Sequence, residues 1–232
     1  MISKHITHIE NLRQNLKEVR RLLDIHEQIS GKKPGYKSKV EVINKSCVVL
    51  LVACWEAYIE DLGKAAFEFL LVKAKKPDVF PSKILVLASK ELKSAADERL
   101  VWKLAGKGWI KILNDHKEET LGRYINNFNT PRADMIDHLF ENLIGYSRLS
   151  ENWHWFNMTF QKSQKKLSDL ITLRGSIAHR VSTTKRVHKS VIKYHLGFII
   201  RLAVISNNRV AAHLHKLTKE TPWQRYHHGK VK

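Results

Sequence analysis

The 232-residue chain carries 41 Lys and Arg against 22 Asp and Glu, a formal net charge of +19. With 43% hydrophobic residues and six Trp it has the apolar mass for a packed core, which excludes a disordered polymer. Its longest apolar run, Cys47 to Trp55, is nine residues, about half a membrane span, and Met1-Ile2-Ser3-Lys4-His5 leads into a charged helix rather than an apolar signal core. A cytoplasmic chain with no membrane partner is therefore expected.

Strand signals are nearly absent and helical periodicity runs almost throughout. Ile6, Ile9, Leu12, Leu16, Val19, Leu22 and Leu23 share one face of a first helix that stops at Ser30-Gly31-Lys32-Lys33-Pro34-Gly35. A second, longer helix is predicted from about Lys39 to Lys75. Its middle, Cys47 to Trp55, is apolar all round and is expected to be buried centrally. Cys47 and Cys54 lie on it about 10 Å apart by helix rise, too far for a disulfide, and neither belongs to a Cys-x-x-Cys pair. Pro77 and Pro81 end this helix. Residues 83–128 read as shorter helices broken at Gly106 and Gly108. Thr130 then stands as a cap before Pro131 at the first position of a helix buried through Ile136, Leu139, Phe140 and Leu143.

A loop around Gly145–Glu151 leads to Asn152-Trp153-His154-Trp155-Phe156, whose aromatics suit core or lid packing better than base stacking. The next helix carries an apolar stripe of Leu167, Leu170, Ile171, Ile177 and Ala178, then Val181–Arg186 forms a polar connector. A final helix runs from about Val187 to Leu217, and the basic tail from Thr218 is expected to fray. The economical reading is one all-α domain over residues 1–217 with a tail over 218–232.

The charge is uneven. Residues 146–232 hold 17 Lys and Arg against Glu151, Asp169 and Glu220, so a polyanion should meet the C-terminal third. Within it, Arg174 falls in the middle of the apolar stripe, where an unpaired guanidinium is costly because it cannot deprotonate. Either Arg174 has a buried partner, or the stripe faces something other than a closed core.

His179 follows Arg174 after four residues. Arg and His suffice for metal-free RNA cleavage: an imidazole moves protons and a guanidinium stabilises charge on the phosphate oxygens. Spacing alone is weak evidence, since an Arg precedes a His by this distance or up to two residues more six times in the chain. Arg174–His179 is singled out by the apolar stripe and by the small residues Gly175, Ser176 and Ala178 between them. On a continuous helix the two lie about 140° apart, and two proton transfers suit two histidines. An isologous dimer would supply both pairs around one cleft.

Leu170-Ile171-Thr172-Leu173-Arg174-Gly175-Ser176-Ile177-Ala178-His179 resembles the LxxLRNxIAHG signature of HEPN domains, an all-α family rich in ribonucleases. Ala53-Cys54-Trp55-Glu56-Ala57-Tyr58-Ile59-Glu60-Asp61-Leu62 is similar to the early helix of the RiboL-PSP type, with its aromatic-Glu-Ala-aromatic step. Thr130-Pro131 through Phe140, followed by Gly145 and Trp153, resembles that group's Pro-started helix and its continuation. Together these segments span about residues 40–215.

The resemblance implies a HEPN-type helical bundle with inserted short helices, a homodimer joined through the Arg174–His179 region, and metal-independent RNA cleavage that leaves a 2′,3′-cyclic phosphate. It implies no cofactor and no metal. Arg174 and His179 carry over as catalytic residues, and Glu56 as an acid that holds one of them in place. Glu56 alternatively reads as a surface residue one turn from Glu60. Arg180, Lys185, Arg186, Lys189 and Lys193 are the expected RNA-binding cations. A role in antiviral defence or toxin–antitoxin biology, with an antitoxin or regulatory partner, is implied as well.

Three positions depart from the signature. Gly175 stands where a polar residue is usual, Arg180 where Gly is frequent, and Val181 where a tyrosine subject to modification is found in silenced toxins. Gly175 favours the second reading, a non-catalytic module that binds RNA or a partner. A basic DNA-binding protein is a third, but no helix-turn-helix is evident.

Overall fold

The computed structural model describes residues 8–30, 40–90, 92, 97–126, 128–180 and 186–227. Helix α1 (His8–Ser30) buries Ile9, Leu12, Leu16, Val19 and Leu23, the face its periodicity predicts. It packs along α2 (Glu41–Lys73), which also contacts every other long helix and forms the centre of the fold. A stretch of α2 is long and apolar enough to cross a membrane, with a mean hydropathy of 1.6, but it serves here as a core helix.

All-round burial of α2 does not occur. Leu51, Val52, Cys54, Trp55, Tyr58, Ile59 and Leu62 are buried, whereas Val49 and Leu50 are half-buried and Ala53 is exposed. The reason is geometric. Val42, Ser46, Val49, Ala53, Glu56, Glu60 and Lys64 recur at helical spacing on one line, and no neighbouring helix covers that line. Val42 is 65% exposed. Cys47 and Cys54 are free, and burial pushes both thiols up to about 11.

Aromatic side chains set the rotation of α2. Trp55 Nε1 donates to the Pro131 carbonyl (3.2 Å) and Tyr58 Oη donates to the Ala203 carbonyl (2.7 Å). Trp55 also meets Trp153 edge to face, with ring centroids 5.9 Å apart. Trp153 is a core residue, and its Nε1 donates to Ser206 Oγ (2.9 Å), which sets aside base stacking for this ring.

After a 3-10 turn at Pro77–Val79 come α3 (Ser82–Ala88), a 3-10 helix at Glu98–Leu104, α4 (Gly108–Asp115) and α5 (Lys117–Tyr124). The expected breaks fall here: Gly106 takes a φ of 59°, and a Cβ on Gly108 would sit 1.8 Å from the Lys103 carbonyl oxygen. Helix α6 (Ala133–Ile144) starts later than expected. Arg132 occupies its cap position without a side-chain capping bond, because Thr130 and Pro131 belong to the extended approach whose carbonyl receives Trp55. Gly145, at φ 68°, closes the helix. Asp137 on α6 accepts from Ser150 N and Oγ, and Gln164 donates to Ser150 Oγ, tying α6 through the 3-10 turn Leu149–Asn152 to the next helix.

That helix, α7 (Phe160–Arg180), is continuous, and α8 (Lys189–Thr218) runs through the core beside α2. The chain does not fray immediately after Thr218. Trp223 Nε1 donates to the Asn207 carbonyl (3.4 Å), while Asn207 and Asn208 donate to the Gln224 and Tyr226 carbonyls. His8 donates to Asn207 Oδ1 at 2.6 Å, so α1, α8 and this return segment share one hydrogen-bonded cluster. Among the described residues there is no strand, only a bridge between Trp155 and Met158. The fold is all-α.

Trp153→Phe would leave Ser206 Oγ buried without its donor. We expect a loss of about 1–3 kcal/mol, read as a lower urea midpoint with an unchanged slope.

Candidate functional site

Leu167, Leu170, Ile171 and Ile177 are buried on one stripe of α7, and Arg174 lies in its middle, half-buried. The Arg174 Nε atom is fully buried and has no hydrogen-bond partner. Ala178, expected on the buried stripe, is exposed. The stripe therefore leaves the closed core between Ile171 and Ala178, and Arg174 stands at that exit.

Glu56 comes to this place from α2. Trp55 and Tyr58 are locked into the core, so the intervening positions turn outward and Glu56 falls on the uncovered line. Burial raises its carboxyl above the usual value, and the Arg174 charge partly offsets that rise. No hydrogen bond or ion pair joins the two among the described residues. Glu60, one turn on, is also raised, first by burial and then by the Glu56 and Asp61 charges. Arg174 is thus coupled to Glu56 alone of these acids, and its innermost donor is unused.

Beside Arg174 on α7, Leu173, Gly175 and Ser176 are half-buried. Ser176 Oγ donates back to the Leu173 carbonyl (2.8 Å) and offers its hydrogen to nothing else. A Cβ built on Gly175 meets no atom of the described residues within 4 Å, so among them a polar side chain has room there. The register of α7 sets positions 174 and 179 about 140° apart. The side chains of His179 and Arg180, and Lys185 entirely, lie outside the described residues.

The expected RNA-binding cations are not equivalent. Arg186 is exposed. Lys189 and Lys193 both hold Glu27 of α1, at 3.1 and 2.9 Å, and these bonds draw the Glu27 carboxyl down to about 2. Neither lysine is a free cation in this arrangement. Sequence reasoning missed this pairing because Glu27 is 162 residues from Lys189.

It also missed Arg132, which spacing grouped with the other Arg–His pairs. Arg132 Nη1 donates to Ser168 Oγ, and Nη2 donates to Thr172 Oγ1 (3.1 Å), both hydroxyls standing on α7. A pair of hydroxyls four residues apart on the polar face of that helix was the available signal. His213 and His215 are occupied structurally, by the Ile144 and Glu220 carbonyls. Among the described residues no group of three or more His, Cys, Asp or Glu side chains is arranged to hold a metal ion.

Removing the cation that holds Glu56 down should raise its carboxyl further. In Arg174→Ala, the Glu56 side-chain titration followed by carbon NMR should move to higher pH. In the parent, a carboxyl raised on folding costs stability as pH rises from its unfolded value of 4.5 through its folded one. Glu56→Gln should remove that slope from the pH dependence of unfolding. A Glu56 titration that does not respond to Arg174→Ala would break the link between them.

A family model described as RiboL-PSP-HEPN matches residues 10–211, from α1 into the last turns of α8, and takes in Glu56, Arg174 and His179. No curated protein and no solved structure matches the chain. HEPN membership points to an RNA-related function and, in many members, to dimerisation. The match covers most of the chain and agrees with the all-α bundle, so the protein belongs to the RiboL-PSP-HEPN family.

Proposed function

We propose that the protein is a metal-independent endoribonuclease of the HEPN type, acting in the cytoplasm as an isologous dimer whose two Arg174–His179 segments line one cleft. The ribose 2′-oxygen attacks the adjacent phosphorus as the P–O5′ bond breaks, leaving a 2′,3′-cyclic phosphate. A neutral His179 imidazole takes the 2′-hydroxyl proton, and the protonated imidazole of the partner copy delivers one to O5′. Arg174 stabilises charge growing on the phosphate oxygens, and Glu56 is its positioning residue. Arg180, Lys185 and Arg186 attract the RNA backbone, joined by Lys189 and Lys193 when they exchange Glu27 for phosphate.

The observation that carries this reading is Arg174, with a buried and unused Nε at the point where an apolar stripe runs out of the core. A folding role would have closed that donor with a carbonyl or carboxylate. The line of α2 that carries Glu56 is partly apolar, with Val42 and Ala53 exposed, and Ala178 of α7 is exposed as well. Such a surface suits a second copy. A defence or toxin role, restrained by an antitoxin or regulatory protein, belongs to the same proposal.

Gly175 supports a second reading, a module that binds RNA without cutting it, because the polar side chain usual after the arginine is missing. Incubating the purified protein with RNA and a chelator separates the two. Cleavage should persist in chelator, yield cyclic phosphate ends, and fall by about 10²–10⁴-fold in His179→Ala. A requirement for a divalent metal, or equal cutting of DNA, would overturn the proposal. Binding that His179→Ala leaves intact, with no cleavage in the parent, would select the second reading.

Glu27→Gln tests the electrostatics separately. Freed from their carboxylate, Lys189 and Lys193 should tighten RNA binding severalfold and steepen its salt dependence by about 0.7 for each phosphate newly contacted. An unchanged salt slope would remove both lysines from the interface.

A further inference from the structure

We infer that Arg132 is a second phosphate-binding site for the RNA strand, holding a phosphodiester on the 3′ or 5′ side of the bond to be cut. This rests on the ribonuclease reading above and adds a substrate subsite to it. Three observations carry it.

First, the Arg132 guanidinium is held but not neutralised. Its Nη atoms donate to the hydroxyls of Ser168 and Thr172, and Nη1 also approaches the Ser168 carbonyl at 3.5 Å. Among the described residues no carboxylate lies within ion-pair distance of it. Hydroxyl and carbonyl acceptors fix the plane of the fork while leaving its full positive charge, and Nε–H and one Nη2–H are left for a further acceptor. A planar fork with spare donors and an uncompensated charge suits a phosphate.

Second, the register of α7 aligns this cation with the reaction centre. At about 100° per residue, positions 168, 172, 175 and 179 fall within about 60° of one another on one face of the helix. Thr172 and position 179 are separated by about 10 Å of helix rise.

Third, the surface between them is clear. Gly175 lies on this face midway between Thr172 and position 179, and among the described residues a Cβ there would meet nothing within 4 Å. A sugar-phosphate backbone can pass over Gly175 from the Arg132 fork to the histidine position. In this strand path the glycine that departs from the family signature forms the floor.

The test is the dependence of cleavage on RNA length. For the parent, KM should fall about tenfold between a dinucleotide and an oligonucleotide of about eight residues. Arg132→Ala should abolish that gain and lower the salt slope of binding by about 0.7. Arg132→Lys, which keeps the charge but loses the fork, should recover only part of it. Because Arg132→Ala also removes bonds to α7, Ser168→Ala/Thr172→Val serves as the structural control: it loses the same bonds, keeps the cation, and should retain the length dependence and salt slope. Length dependence that survives Arg132→Ala in an active enzyme would overturn the subsite alone. An RNA that the parent neither binds nor cuts would overturn the ribonuclease reading with it.

Discussion

The structure turns on a guanidinium that cannot lose its proton, set where two core helices part. Arg174 is carried inward by the apolar stripe of α7, and its Nε is sealed from water without an acceptor. A buried donor left without an acceptor costs about 1–3 kcal/mol, so such a position persists only if something offsets it. Glu56 supplies part of the offset through space: burial raises its carboxyl, and the Arg174 charge draws it partly back towards ionisation. The balance that remains is what the proposed phosphate or second copy would supply.

The position of that guanidinium depends on residues that never touch it. Trp55 and Tyr58 pin α2 by donating to the carbonyls of Pro131 and Ala203, and Trp153 closes over Trp55 while anchored to Ser206. Because these aromatics consume one side of α2, the residue between them and its line of neighbours must lie on the other. The aromatic-Glu-Ala-aromatic step thus has a mechanical meaning: two buried rings orient one half-exposed carboxylate. The Ser150 network does the same for α7, linking it to α6 through Asp137 and Gln164.

How much of this was legible follows from what periodicity can report. The faces of α1 and α6 and the continuity of α7 were readable because spacing of apolar residues states which side seeks a core. Whether a neighbour covers that side is a tertiary fact. Ala178 was therefore assigned to the buried stripe, and Ala53 lies within the apolar middle of α2, although both are exposed. The cap at Thr130 failed because a tertiary bond from Trp55 keeps Pro131 outside the helix. Return of the chain through Trp223 onto Asn207, the hold of Lys189 and Lys193 on Glu27, and the seat of Arg132 on α7 all join segments far apart in sequence. Arg174 itself was legible because a charge at the centre of an apolar stripe demands an explanation from composition alone.

The central claim is that the catalytic groups are shared between two copies, and mixed dimers test it most directly. Parent and His179→Ala chains would be co-expressed in equal amounts and the dimers assayed on RNA. If one cleft needs the histidines of both copies, only the dimers made of two parent chains cut, and activity should fall to about a quarter of the parent value. Activity of about half the parent value, in dimers shown to be mixed, would place a complete site on each chain and contradict the shared cleft.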